Sequence, residues 1–473
     1  MENVDLEDLW CPEKAYHRYG NKKYYYSYKV NINNKNTMDH AHFFLHLILL
    51  FLFCISTSYG LDNGVGRTPP MGWMAWERFR DVVDCTSFPD RCVSEKLIKE
   101  HIDILSQPEW QEAGYEYVDI DDTWMSTSRN SQNVLSWNAT RFPSGMKSLA
   151  DYAHSKNLKL GIYQDMGTKT CVGYPGVCKD QNCTLPGYMD IDAQTFASWG
   201  IDLVKMDGCN SVHTSEILDR GYKYFGKQLN NSGREMIYSC SWPDYIRLAG
   251  ITVNYTDIAE HCNIWRMYND VQDDWGSVLN IIDWVGDNQE TLIKAAGPGH
   301  FNDPDSLMIG NFALSYTQAE SQMALYSIMA APLLMGNDLR NLDPKFKAIL
   351  ISKEVIAINQ DPLGVQGRRL VHTAACGGNN YYDVWSKPLY NGDLAVVLWN
   401  RCPYGVPEKM TVDWKTLGIE SNEEIMAVRD LYQEKELGNF TGSISLYVDI
   451  DGVRMLRLRK FGRDDAGSKS ITS

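Results

Sequence analysis

Leu203-Val-Lys-Met-Asp-Gly-Cys209 is a short apolar run that ends abruptly in a lysine, a carboxylate and a thiol. Side chains alternate faces along a β-strand, so Lys205, Asp207 and Cys209 point one way and Val204, Met206 and Gly208 the other. Charged groups are costly to bury without a purpose, which here is either chemistry or a structural pairing of Lys205 with Asp207. The same design recurs along the chain. Residues 115–122 end in Asp121 and Asp122, residues 158–165 in Tyr163 and Asp165, and residues 236–242 in Ser241 and Trp242. Residues 262–270 end in Arg266 and Asp270, and residues 300–305 bring Asp303 and Asp305. Residues 70–76 and 331–335 complete eight strand candidates.

Helix-like stretches separate these runs at 94–105, 147–156, 192–199, 216–229 and 318–329. Strands alternating with helices predict crossover units and a parallel sheet. Eight such units over roughly 300 residues predict an α/β chain built on a (β/α)8 barrel, with its site at the carboxyl ends of the strands. After about residue 365 the texture changes to short β-branched or aromatic runs at 381–385, 394–399, 409–413, 426–431 and 453–458, separated by Gly, Asn and Pro. These predict a C-terminal antiparallel β-sandwich. The expected domains are thus a barrel at 61–365 and a sandwich at 366–473.

A net charge of −15 argues against nucleic acid or an anionic membrane as partner. Fourteen Trp and 27 Tyr, set among the strand-end carboxylates, suit sugars, whose C–H faces stack on rings while their hydroxyls bond to acids. Residues 43–55 form a largely apolar run of thirteen, too short to span a bilayer comfortably and suited to the core of a signal peptide. Ser58-Tyr59-Gly60 places a cleavage before Leu61. We therefore read 38–60 as a signal peptide and 1–37 as an upstream extension, with no stable membrane anchor in the mature chain. Asn-x-Ser/Thr acceptors stand at Asn138, Asn182, Asn230, Asn254 and Asn439. Of twelve cysteines, ten follow the cut, an even number that suggests bridges in a secreted chain. Cys85 and Cys92 close one short loop, and Cys178 and Cys183 another. Metal-ligand spacing is absent from the Cys and His pattern, so no metal and no cofactor is expected.

Several motifs together resemble the α-galactosidase/α-N-acetylgalactosaminidase family of glycoside hydrolases (family 27). They are Met71-Gly-Trp-Met-Ala-Trp-Glu-Arg-Phe79, Tyr117-Val-Asp-Ile-Asp-Asp122, Lys159-Leu-Gly-Ile-Tyr163, Lys205-Met-Asp-Gly-Cys209, Trp265-Arg266, Ala296-Gly-Pro-Gly299, Asn302-Asp-Pro-Asp305 and Ala357-Ile-Asn-Gln-Asp-Pro-Leu-Gly364. The resemblance implies retaining hydrolysis of a terminal α-linked galactose-type sugar, with Asp207 as nucleophile and Asp270 as general acid/base. It places Trp76, Asp121, Asp122, Tyr163, Cys171, Lys205, Tyr245, Arg266 and Asp305 at sugar-contacting positions. Lys205 should favour an ionised Asp207, and the surroundings of Asp270 should raise its pKa so that it holds a proton. Cys171–Cys209 and Cys240–Cys262 match family bridges, whereas a further family bridge is lost because Asp81 and Thr123 stand at its two positions. Cys376 and Cys402 are left as a potential pair within the sandwich.

In this family a loop after the fifth strand reads the sugar 2-position. Galactosidases carry a Glu and a bulky aliphatic residue there, and N-acetylgalactosaminidases carry Ser and Ala. This chain has Ser241, the small choice, and Asp244, which matches neither. Met74-Ala-Trp76 and Arg368-Arg369 lean toward N-acetylgalactosamine. The expectation is an α-N-acetylgalactosaminidase with residual α-galactosidase activity, a strict α-galactosidase being the alternative. An inactive carbohydrate-binding barrel would lose a carboxylate, yet Asp207 and Asp270 are both present. The resemblance further implies a glycan substrate, a homodimer, and a lysosomal or secreted destination.

Overall fold

The computed structural model describes residues 60–377 and 380–462, along with a two-rung pairing of Arg18–Tyr19 with Lys22–Lys23 in a separate unit, Met1–Thr57. The apolar run at 43–55 and nearly all of 1–37 lie outside the described residues.

The eight apolar runs form one parallel sheet. Its strands are β1 (Met71–Met74), β2 (Tyr117–Ile120), β3 (Lys159–Asp165), β4 (Leu203–Asp207), β5 (Ile237–Cys240), β6 (Ile264–Arg266), β7 (Phe301–Asp303) and β8 (Leu333–Met335). They pair in the order β8-β1-β2-β3-β4-β5-β6-β7. Pro304 has no N–H to donate, so β7 stops at Asp303. The ring closes beyond it, where Leu307 N–H bonds Leu334 O at 2.8 Å and Gly336 N–H bonds Leu307 O at 2.9 Å.

Strand alternation fills the interior in layers. Tyr117, Leu203, Ile237, Ile264 and Phe301 form an apolar floor with Ala330. Two residues further along the same strands stand Asp119, Lys205, Ser239, Arg266 and Asp303, all buried. Two further again, Asp121, Asp207, Ser241 and Asp305 reach the mouth. The floor keeps water from below, so the charges above it can be answered only by one another or by a ligand. Gly161 on β3 is required by this arrangement, because a Cβ there would lie 1.4 Å from Asp119 Oδ1.

Outward-facing strand residues such as Trp73, Val118, Ile162, Val204 and Trp265 pack against the helices. The helices at Glu95–Leu105, Gly145–Ser155, Met189–Trp199, Ser215–Asn231 and Tyr316–Ile328 fall where the sequence placed them, within a few residues. Ser94, Thr214 and Ser315 cap three of them through their hydroxyls. A 21-residue helix, Trp275–Ala295, was not anticipated. Its apolar stripe is diluted by Gly286, where a side chain would strike the Arg369 guanidinium.

The carboxyl-terminal part is a β-sandwich. One sheet has six strands in the order β9-β10-β11-β16-β13-β14: β9 (Arg368–Ala374), β10 (Tyr381–Pro388), β11 (Leu394–Asn400), β16 (Gly452–Lys460), β13 (Ile425–Asp430) and β14 (Lys435–Thr441). A ribbon of β12 (Glu408–Asp413) and β15 (Ser443–Val448) faces it. Val396, Leu398, Trp414, Val428 and Ile444 make the core between the layers. Trp385 and Trp399, on the opposite face of β10 and β11, join the barrel core instead. Arg401 clamps Asp283 of the barrel through two bonds of 2.6 and 2.8 Å. The cysteines pair as Cys85–Cys92, Cys171–Cys209, Cys178–Cys183, Cys240–Cys262 and Cys376–Cys402.

Gly161→Ala is expected to lower stability by about 1–3 kcal/mol through overpacking. Thermal unfolding of Gly161→Ala alone and with Asp119→Ala checks this, since the double variant should regain most of the loss.

Candidate active site

A cavity of about 330 Å³ opens at the carboxyl ends of the barrel strands. It is lined by all thirteen residues singled out from the sequence: Trp76, Asp121, Asp122, Tyr163, Cys171, Lys205, Asp207, Ser241, Asp244, Tyr245, Arg266, Asp270 and Asp305. Glu77, Cys209, Leu248 and Asn269 complete the wall.

Asp207, the last residue of β4, is fixed from both sides. Tyr163 Oη donates to Oδ2 at 3.0 Å, Tyr245 Oη to Oδ1 at 3.0 Å, and the Gly208 N–H to Oδ1 at 2.9 Å. Burial, reinforced by the negative charge of Asp207, pushes both phenols upward, so they remain O–H donors. The Cys171–Cys209 disulfide ties the loops after β3 and β4 across this carboxylate. Asp122 braces the first of those loops by accepting the Val172 N–H at 3.1 Å.

Lys205 pairs with Asp121, not with Asp207. Its Nζ lies 2.6 Å from Asp121 Oδ2, inside the barrel. Asp207 and Asp305 add to the field that keeps this lysine charged against the cost of burial. Asp121 is thus the contact ion of Lys205, and Asp207 acts on it only through the field across the cavity.

Arg266 does the corresponding work on the other wall. One Nη2 serves Asp270 Oδ1 at 3.0 Å and Asp305 Oδ2 at 2.9 Å. Asp305 Oδ2 also accepts the N–H of Val271, the residue after Asp270, at 2.9 Å. Asp305 adopts a left-handed backbone (φ 74°), which turns its carboxylate from the Asn302-Asp-Pro-Asp305 turn toward that loop. Here the structure corrects an expectation. The Arg266 charge holds Asp270 below the usual carboxylate range, where the sequence reading had asked for a raised value. The Asp270 side chain is 67% exposed, and the desolvation it does undergo is outweighed by the guanidinium.

Glu77 was missed. Its carboxyl is buried in the wall, 2.6 Å from Arg80 Nη2, and burial together with Asp305 pushes it up to about 8. In the sequence it reads as an ordinary residue of the short helix Trp76–Phe79. The available signal was its place next to Trp76.

Ser241 follows β5 directly and stands at the N-cap of the helix Trp242–Leu248, with no capping bond from its hydroxyl. Asp244, in the first turn, accepts Arg247 Nε at 2.9 Å and Nη2 at 2.7 Å, both at Oδ1. Arg247 also donates to Asn269 Oδ1 at 2.6 Å and lies over the Tyr268 ring. Arg368 and Arg369 are remote from the cavity: they pair with Glu290 and Asp287 between barrel and sandwich. The Cys178–Cys183 loop also stays off the cavity wall, its Asn182 carbonyl accepting from Arg220.

A barrel whose mouth gathers carboxylates from several strands, among phenols and an indole, has the architecture of a glycoside hydrolase. The profile of the family described as alpha galactosidase A matches residues 68–361, and that of the alpha galactosidase C-terminal beta sandwich domain matches residues 379–458. Human alpha-galactosidase A is 45% identical over 418 residues, covering 88% of this chain and 94% of the relative. Human alpha-N-acetylgalactosaminidase is 47% identical over 398 residues, covering 82% and 93%. Among solved structures, the alpha-galactosidase of Saccharomyces cerevisiae with raffinose superposes with a TM-score of 0.74 at 26% identity, covering 86% of this chain and 100% of that one. Alpha-galactosidase I of Mortierella vinacea gives 0.72 at 29%, covering 85% and 99%. The chain belongs to the α-galactosidase family of glycoside hydrolases, family 27, and is a glycosidase.

Tyr245→Phe removes one bond to Asp207 and leaves the ring. Hydrogen bonds to charged groups contribute about 1.5–3 kcal/mol, so kcat/KM should fall roughly 10- to 100-fold. Assay on a p-nitrophenyl α-glycoside checks this.

Proposed function

We propose that the protein removes terminal α-linked N-acetylgalactosamine, and more slowly galactose, from glycans with retention of configuration. Asp207 attacks the anomeric carbon while Asp270 protonates the departing oxygen, and Asp270 then takes the proton from the incoming water. The observation that carries this reading is the contrast between the two carboxylates. Asp207 is held rigidly by two phenols and a backbone N–H, as a nucleophile must be. Asp270 stands exposed on a guanidinium tether, open to leaving group and water. A bound sugar expels water from above Asp270 and disfavours its charge, which lets it hold a proton despite Arg266. Because the free site keeps that group ionised, activity belongs at acidic pH.

The sugar preference rests on Ser241 and Asp244. A serine leaves room for an acetamide at the 2-position. Asp244 is anchored through Oδ1 alone, so Oδ2 is available to accept the amide N–H. Met74-Ala-Trp76 supports the same side. The Arg368-Arg369 pair gives no support, since its partners lie outside the cavity.

The apolar run at 43–55, the sequons and the five disulfides support a secretory route to the lysosome or the exterior. Asn182, Asn230, Asn254 and Asn439 are exposed and Asn138 is half-buried, so all five can be reached or nearly so. No helix among the described residues is long and apolar enough to cross a membrane. We take the mature chain to be a barrel at 61–365 followed by a sandwich at 366–473, working as a homodimer as the family resemblance implies.

Initial rates on the two p-nitrophenyl α-glycosides test the preference. The N-acetylgalactosaminide should be cleaved faster, and Asp244→Leu should shift the ratio toward the galactoside. A wild-type enzyme that cleaves only the galactoside would make it a strict α-galactosidase and overturn the reading.

A further inference from the structure

Asp119 has no part in the reaction above, yet it occupies the layer directly beneath it. It lies on β2, two residues before Asp121, and is 2% exposed. Neither carboxyl oxygen has a hydrogen-bond partner. Its Oδ1 fills the space left by the missing side chain of Gly161 on β3, so the fold has made room for it there.

Three charged groups face it: Asp121 on its own strand, Lys205 on β4 and Asp303 on β7. Lys205 is already committed to Asp121 Oδ2 at 2.6 Å. An ionised carboxylate without donors in a dry interior is strongly disfavoured. Burial, then Asp121, push Asp119 well above the usual carboxylate range, and Lys205 opposes them in part. Asp119 therefore carries its proton under the acidic conditions in which the site works.

We propose that Asp119 is a proton-holding positioning residue, which as a neutral acid leaves Lys205 to Asp121 and Asp207, and on ionising becomes a competing anion that weakens the site. No bond to the substrate is involved, and the proton exchanges with solvent. The consequence is an alkaline limit set from below the cavity. Stability follows the same sign. An acid raised in the folded state contributes fully below its unfolded value near 4, and that contribution is lost as pH rises through the folded value. An amide at this position cannot ionise and escapes the loss.

The inference rests on the roles given to Lys205 and Asp207. If those roles are wrong, Asp207→Asn keeps its activity; if this inference is wrong, the pH profiles below stay parallel. Asp119→Asn, nearly isosteric, is compared with wild type from pH 4.5 to 7.5, with Asp119→Ser as a second variant that also cannot ionise. The ratio of variant to wild-type kcat/KM should rise about 5-fold or more across that range, with the difference in unfolding temperature moving in the variant's favour. A ratio that is flat with pH in both variants, with a flat difference in unfolding temperature, would overturn the proposal.

Discussion

Two buried cations, Lys205 and Arg266, hold the acids of this barrel in working order. Each stands one layer below the mouth: Lys205 reaches Asp121 just past β2, and Arg266 reaches Asp305 just past β7 and Asp270 in the loop after its own strand. Without them, seven carboxylates crowded into a cavity of about 330 Å³ would repel one another and take up protons. The apolar floor beneath makes these pairings strong by keeping water out. The floor, the charged layer and the reacting groups are thus successive turns of one strand pattern, read outward along the barrel axis.

The Arg266 linkage also explains how one loop can be tethered and still leave its carboxylate accessible. Asp305 fixes Val271 and shares Arg266 with Asp270, so the exposed carboxylate is positioned through its neighbours while its own oxygens stay largely free. Asp207 is the opposite case, immobilised by direct donors. A nucleophile must be fixed in line with one atom, whereas a general acid must meet a leaving group and then a water. The difference in restraint matches the difference in the tasks proposed for the two residues.

Most of this was legible in the sequence because strand ends announce themselves. Apolar runs that terminate in Asp121-Asp122, Asp207 or Asp305 place both the strand and the functional face, and period-2 alternation carries that information locally. What was illegible depended on partners far away in sequence. That Lys205 would bond Asp121 and not Asp207, that Arg266 would depress Asp270, and that Arg247 would clamp Asp244 each require the barrel to be closed first. Glu77 was hidden by its ordinary helical surroundings, and Asp119 by looking like one more acid in a row of three. The helix Trp275–Ala295 and the strands Lys435–Thr441 and Ser443–Val448 were missed; most of Lys435–Thr441 is exposed, so its apolar pattern is weak. Arg368-Arg369 taught the converse, a motif that resembles a specificity mark and serves instead to join the two domains.

In the proposed reaction Asp207 forms a bond to the sugar and Asp270 does not. An activated 2-deoxy-2-fluoro α-glycoside, which slows release of a covalent intermediate more than its formation, tests this directly. Peptide mapping by mass spectrometry after denaturation should find one glycosyl group per chain, on the carboxylate of Asp207. A label on Asp270, or turnover to an inverted product with no labelled peptide, would contradict the account.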